Sequence, residues 1–310
     1  MKLGRALALL VLGACVPATE ELNPRGGVVA RLSPSAETAG TSFTSVDGWT
    51  VTIERFAVRA SVSAQVLRVE SDRPYGYGGG GYPRILAPND ACELKLTAMS
   101  PGPAAAYIEL RSRYAEYEPL AGESLCGIDD DLRERFDRRA DGSSRYEASF
   151  PGEFEYRSTP SLVLLARAEK AGRALRLELG LDAELYGPTK AGLVPVTIVA
   201  NEGAPIRVRV DAAALFVPPE RRGQQIRFDD VAAADADGDG VVTGGELADV
   251  DLVDCEPVDH EDDPRFPLPF PGPKLDPYPD DLDDFGDTSC GSVLDAIARE
   301  NVANLFGPAP

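Results

Sequence analysis

The sequence predicts a mainly β protein: an antiparallel β-sandwich over residues 43–217, followed by a loop-rich acidic segment and a terminal helix. Three runs carry this expectation. Residues 50–69 alternate apolar and polar side chains, residues 161–182 form two strands of a hairpin around an Ala-Gly turn, and Val194–Val199 with Ile206–Val210 read as a further hairpin across residues 201–205. A period of two puts one face of a strand on a core and turns the other outward. Frequent runs of this kind, broken by turn residues, belong to a sandwich.

The N-terminus reads as a targeting segment. Lys2 and Arg5 precede a short apolar run, Ala6 to Leu12, which is too short to span a bilayer as a mature helix. Leu12, Gly13, Ala14 and Cys15 follow, and this stretch resembles the lipobox of bacterial lipoproteins. The resemblance implies removal of residues 1–14 and lipid attachment at Cys15. Val16 is not the Asp associated with inner-membrane retention, so the resemblance implies an outer-membrane or cell-surface location. Residues 15–42, rich in Pro, Gly, Ser, Thr and Ala, read as a flexible tether.

Within the β region, Val51 and Ile53 share one parity while Phe56, Val58 and Ala60 share the other. That change predicts a bulge or bend near Arg55. Leu175, Leu177, Leu179 and Leu181 fall on one face of the second hairpin strand, opposite Arg176 and Glu178. Two insertions interrupt the pattern. Residues 75–83 (YGYGGGGYP) lack the Lys-Ser/Thr of a phosphate loop and read as a mobile loop carrying Tyr75, Tyr77 and Tyr82. Residues 129–141 (DDDLRERFDRRAD) read as a short helix with a solvated face of i,i+4 charge pairs.

Setting Cys15 aside leaves Cys92, Cys126, Cys255 and Cys290. An even number in an exported chain points to two disulfides. Sequence-local pairing gives Cys92–Cys126 and Cys255–Cys290, one of three connectivities. A four-thiolate zinc site is the other use, but it lacks any C-x-x-C spacing.

Charge concentrates late in the chain. The whole carries a formal charge of -20, and between Asp229 and Asp287 there are 20 Asp plus Glu against two basic residues, Arg265 and Lys274. Such a field does not draw nucleic acid. Residues 218–254 hold the densest metal-type motif. Residues 255–310 form an acidic, Pro-rich extension that cannot be regular helix or central strand, and then a terminal helix. Ser292 and Asp295 fit a capping box; Leu294, Ile297, Asn301 and Leu305 line one side, widened by Val293, Val302 and Phe306. Gly307 and Pro308 stop the helix.

The motif itself is DADGDGVVTGGE, residues 235–246. Calcium takes six to eight oxygens at roughly 2.3–2.6 Å, and alternate residues of a tightly curled loop can aim them at one centre. Asp235, Asp237 and Asp239 occupy the alternate positions, and Gly240 permits the sharp turn. The backbone carbonyl of Val241 can face inward, Thr243 can hold a water, and Glu246 can close the shell with two oxygens. The spacing resembles the EF-hand calcium loop, down to the apolar Val242 at its eighth position. That resemblance implies Ca²⁺ as the bound ion and covers about 25 residues with the flanks. The sequence departs from the family in three ways: no second loop matches, the entering helix is short, and Gly244 and Gly245 open the exiting helix. These departures point to a structural site of roughly 10⁻⁴–10⁻³ M affinity, not a sensor. The order of lipobox, DGWTVTIERF at 47–56 and this loop also resembles that of uncharacterised bacterial lipoproteins, which implies no activity.

Catalytic signals are sparse. His260 is the only histidine; it lies in an acidic Pro-rich run with no G-x-S-x-G elbow and no second His for a zinc protease. The expectation is a non-enzymatic, calcium-binding surface protein with a structural or ligand-binding role toward a protein or glycan. A carboxylate hydrolase of envelope or extracellular polymers and a calcium-dependent adhesin are the alternatives.

Overall fold

The computed structural model describes residues 25–66, 78–88, 91–111, 113–114, 125–137, 158–183, 194–218, 223–252 and 292–308. Its first strands are β1 (Gly26–Pro34), β2 (Phe43–Thr44), β3 (Thr50–Val66), β4 (Gly78–Gly80) and β5 (Arg84–Leu86). Then follow β6 (Glu93–Met99), β7 (Gly102–Leu110), β8 (Arg113–Tyr114), β9 (Leu125–Cys126) and helix α1 (Asp130–Asp137). The middle of the chain supplies β10 (Ser158–Thr159), β11 (Leu162–Lys170), β12 (Arg173–Leu181), β13 (Val194–Ile198) and β14 (Gly203–Val210). The last elements are α2 (Phe228–Ala233), β15 (Val241–Thr243), α3 (Gly244–Ala248), α4 (Val293–Asp295) and β16 (Phe306–Pro308).

The fold is mainly β and sandwich-like, as the alternation predicts. One sheet has the order β16-β14-β1-β6; the larger runs β13-β7-β3-β11-β12-β15, with β2, β4, β5 and β9 alongside. Both sheets are mixed, not purely antiparallel: β1 with β14, β5 with β9, and β12 with β15 run parallel. Parallel partners cannot be joined by a tight hairpin, so alternation and turn residues carry no sign of them.

The core lies between the inward faces. Val28, Ala30 and Leu32 of β1 meet Val58, Ala60, Val62 and Ala64 of β3 and the leucines of β11 and β12 in one buried cluster. Burying each such Leu contributes about 1.5–3 kcal/mol. The parity change near Arg55 is a bulge: Leu165 pairs with Arg55 while Ala166 pairs with Ile53, leaving Glu54 unmatched. β3 serves two neighbours in turn, β11 along Thr50–Val58 and β7 along Ala60–Val66.

Five expectations need correction. β13 and β14 follow each other in the chain but are not a hairpin: β13 pairs with β7 in the larger sheet and β14 with β1 and β16 in the smaller, so the turn at Asn201 carries the chain from one sheet to the other. Residues 26–34, assigned above to the tether, form the central strand β1 of the smaller sheet. Gly26 and Gly27 make this possible, since a Cβ on Gly27 would sit 2.2 Å from the Leu96 carbonyl oxygen. Within the glycine-rich insertion, Gly78–Gly80 form a strand against Ser63–Gln65; Tyr75 and Tyr77 lie outside the described residues, and Tyr82 is exposed. α1 is the expected short helix and carries the expected i,i+4 pair, Asp131 with Arg135, but its other face is not solvated: Leu132 and Phe136 pack on Ala57, Ile85 and Val163 in a second apolar cluster. Finally, the terminal helix is regular only at Val293–Asp295; a π turn over Ala296–Glu300 and a 3-10 turn over Asn301–Asn304 follow. Gly307 and Pro308 end it by entering β16, which pairs with β14.

The stripe of that terminal segment does pack on the domain, with Leu294, Ile297 and Leu305 in the core. Buried Asn301 locks it. Its Nδ2 donates to Leu215 O at 2.8 Å and Gln224 O at 2.7 Å, while its Oδ1 accepts from Gln224 N at 3.0 Å. Among the described residues no helix is long and apolar enough to cross a membrane.

Candidate metal centre

The loop at 235–246 is built between two short helices and one sheet edge. Phe228, Val231 and Ala232 of α2 are buried in the core, which fixes where the chain enters the loop. The N-terminus of α2 has no local side-chain cap, but Asp47 supplies one from afar: its Oδ2 accepts from Asp229 N at 2.6 Å. Asp229 in turn accepts from Trp49 Nε1 at 2.8 Å and from Lys170 Nζ at 2.8 and 2.9 Å. The Lys170 and Trp49 hydrogen bonds hold the Asp229 carboxyl below the usual aspartate range.

Asp235, Asp237 and Asp239 converge, each offering a carboxylate oxygen within 4.8 Å of the others. Backbone donors organise them. Asp235 Oδ1 accepts from Gly240 N at 3.2 Å, Asp237 Oδ1 from Asp239 N at 3.1 Å, and Asp239 Oδ1 from Val241 N at 2.6 Å. Gly238 and Gly240 adopt φ of 74° and 80°, a conformation that a Cβ disfavours. The Asp235 side chain is only 7% exposed, and Arg173 faces it with Nη2 at 3.9 Å. The same guanidinium donates to Ala232 O at 2.8 Å.

β15 pairs in parallel with Arg176–Glu178 of β12, and Arg176 N donates to Gly240 O at 2.9 Å. Val242 points into the core and is fully buried. Val241 turns its N–H to Asp239; in an extended residue the carbonyl lies on the same side, so it faces the loop and not β12. Four of the expected ligand groups thus share one side: three carboxylates and the Val241 carbonyl.

Glu246 and Thr243 are placed differently. Glu246 Oε2 accepts from Thr243 N at 2.8 Å and from Thr243 Oγ1 at 2.9 Å, and Thr243 Oγ1 accepts from Glu246 N. This is a capping box on α3. It takes Oε2 of Glu246, which is not among the three carboxylates that converge. The donor set fits a hard, oxygen-seeking cation.

The other predicted site residues fall into two groups. Cys92 and Cys126 form a disulfide with an S–S distance of 2.05 Å. Cys15, Cys255, Cys290 and His260 lie outside the described residues. The periodicity gave no sign of the polar face of β3. Arg59, Ser61 and Ser63 are buried there, beside Glu109 of β7, and the two serine hydroxyls have no hydrogen-bond partner among the described residues. Nor did it mark a groove of about 630 Å³ beside the bulge, lined by Phe56, Ile128, Leu132 and Arg55. Arg55 is held there by Asp129 and Asp131. An alternating strand normally signals one wet face, so burial of both faces was invisible.

Comparison with family models, curated proteins and solved structures finds no match to this chain. Fold and loop together define a mainly β protein bearing a carboxylate-lined loop on a sheet edge.

Proposed function

We propose that this chain is an exported, lipid-anchored surface protein in which an EF-hand-like loop binds calcium as a structural fastener. The observation that carries the reading is the convergence of Asp235, Asp237 and Asp239 on a loop already paired with the sandwich through β15. An ion there relieves the repulsion among the carboxylates and favours the folded arrangement over the unfolded one. It ties α2, β15 and α3 to the edge of β12, and with them the start of the acidic extension.

Arrangement on the edge also accounts for the missing second loop. In this reading β12 takes the place of the partner loop against which the short strand of such a motif pairs. The role is binding or structural, not enzymatic, and the membrane partner is reached through lipid on Cys15.

The test is thermal unfolding of the mature domain with millimolar Ca²⁺ or with chelator. Millimolar calcium, about ten times a Kd of roughly 10⁻⁴ M, should add about 1.4 kcal/mol, and Asp235→Asn should remove the difference. Equal melting temperatures in both conditions, with no calorimetric heat of binding, would end the metal reading. Metabolic labelling with a radioactive fatty acid, retained in wild type and lost in Cys15→Ser, checks the anchor.

A further inference from the structure

We infer that one pole of the sandwich, formed by Arg25, the β6–β7 turn at Pro101 and the β13–β14 turn at Asn201, faces the lipid surface, with the 235–246 loop at the opposite pole. The inference rests on the proposed lipid at Cys15 and adds a direction to it. Strand pairing defines the first pole. Gly26 pairs with Met99, Gly102 with Ile198, and Ala104 with Val66, while Asn201 N donates to Arg25 O at 2.9 Å. The chain therefore enters the fold beside the C-terminal end of β3.

Strand pairing also locates the loop. Val241 pairs with Arg176, Arg176 with Arg167, and Arg167 with Thr52. Thr52 lies near the other end of β3. From Thr52 to Val66 is about 45 Å along the strand, at roughly 3.3 Å per residue. Both described ends of the acidic extension leave the fold at the loop's pole, since Val293 N donates to Val250 O at 2.8 Å just after α3.

The length of the tether disfavours inversion. Arg25 lies ten positions after Cys15. Fully stretched, that length reaches about 35 Å, and as a flexible chain it averages about 17 Å. Standing the molecule on its loop would lift Arg25 by up to about 45 Å from the lipid, well beyond the average span of the tether. Charge favours the same direction, because the acidic extension is repelled by anionic head groups. Among the described residues the facing pole instead carries a single acid, exposed Glu202, balanced by exposed Arg25, and offers Val199, 45% exposed.

Trp49, the only tryptophan, sits at the loop's pole and serves as a built-in donor. The experiment uses full-length lipidated protein in vesicles containing a dansyl-labelled phospholipid as energy acceptor. Wild-type emission should be unchanged by the acceptor, whereas the added emission of Val199→Trp should be largely lost. Loss of Trp49 emission matching or exceeding that at position 199, or no loss at 199, overturns the orientation. Flotation of wild type and Cys15→Ser with the same vesicles tells the two failures apart. If wild type does not float, the anchor itself is wrong and the orientation falls with it; if it floats and the order of quenching is reversed, only the orientation is wrong.

Discussion

Trp49 Nε1 donates to Asp229 Oδ1 at 2.8 Å, joining the residue just before β3 to the first turn of α2 across 180 positions of sequence. Lys170, from the end of β11, closes on the same carboxylate and lies over the indole ring, 5.9 Å from its centroid. One carboxylate thus fastens the helix that leads into the metal loop to two strands of the larger sheet.

The lowered pKa of Asp229 gives this junction a pH dependence. A carboxyl whose folded pKa lies below its unfolded value contributes stability that is fully present above the unfolded value and is lost as pH falls through the folded one. Acid should therefore loosen α2 at pH values below the ordinary aspartate range. Emission of the single tryptophan reports it. Asp229→Asn should abolish that acid transition; a profile superimposing on wild type rules the junction out as its source.

Gly27 tests the placement of β1. A methyl group there collides with the Leu96 carbonyl oxygen, in a strand with β14 on one side and β6 on the other. Gly27→Ala should cost about 1–3 kcal/mol or more in chemical denaturation. A substitution without effect would return this stretch to the tether.

The β11–β12 hairpin turns through Ala171 and Gly172, with φ of 50° and 84°. Both values suit a type I′ turn, and alanine is poorly suited to the first. Ala171→Asn should raise unfolding free energy by about 0.5–1 kcal/mol, because Asn enters the left-handed region more readily. The gain is read as a higher denaturant midpoint at unchanged slope.

Asp251 and Ser292 form a bridge that closes the ends of the acidic extension onto each other. A short Gly-Ser linker in place of residues 254–290 should leave the domain folded. Each halving of a closed loop returns about 0.6 kcal/mol of closure entropy, so the shortened chain should be at least as stable as the parent. A drop in melting temperature would show that the extension contributes packing of its own.

Much of this fold is legible where chain neighbours make the contact. The leucine alternation of β12, the Ala-Gly turn and the bulge at Glu54 all lie within a few residues of their causes. So do Gly240 and the three aspartates of the loop. What escapes is set by distant partners. β1 offers only three inward apolar side chains after a low-complexity stretch, and its pairing with β14 joins residues about 176 positions apart. Asp47 caps α2 from 182 residues away, which no local capping pattern can announce. Glu246 was legible as an acid at the right spacing, but the same spacing from Thr243 is that of a capping box, and in the structure the cap takes it.

The pairing of β15 with Arg176–Glu178 has a further consequence. β12 is otherwise the last strand on its side of the larger sheet, and a last strand displays a bare ladder of amide and carbonyl groups on which other copies can stack. Three residues of the loop shield the middle of that ladder. A chain that loses them is therefore exposed to self-association and fibre-like aggregation before its core is disturbed, so clearing from solution should precede any change in the buried leucines.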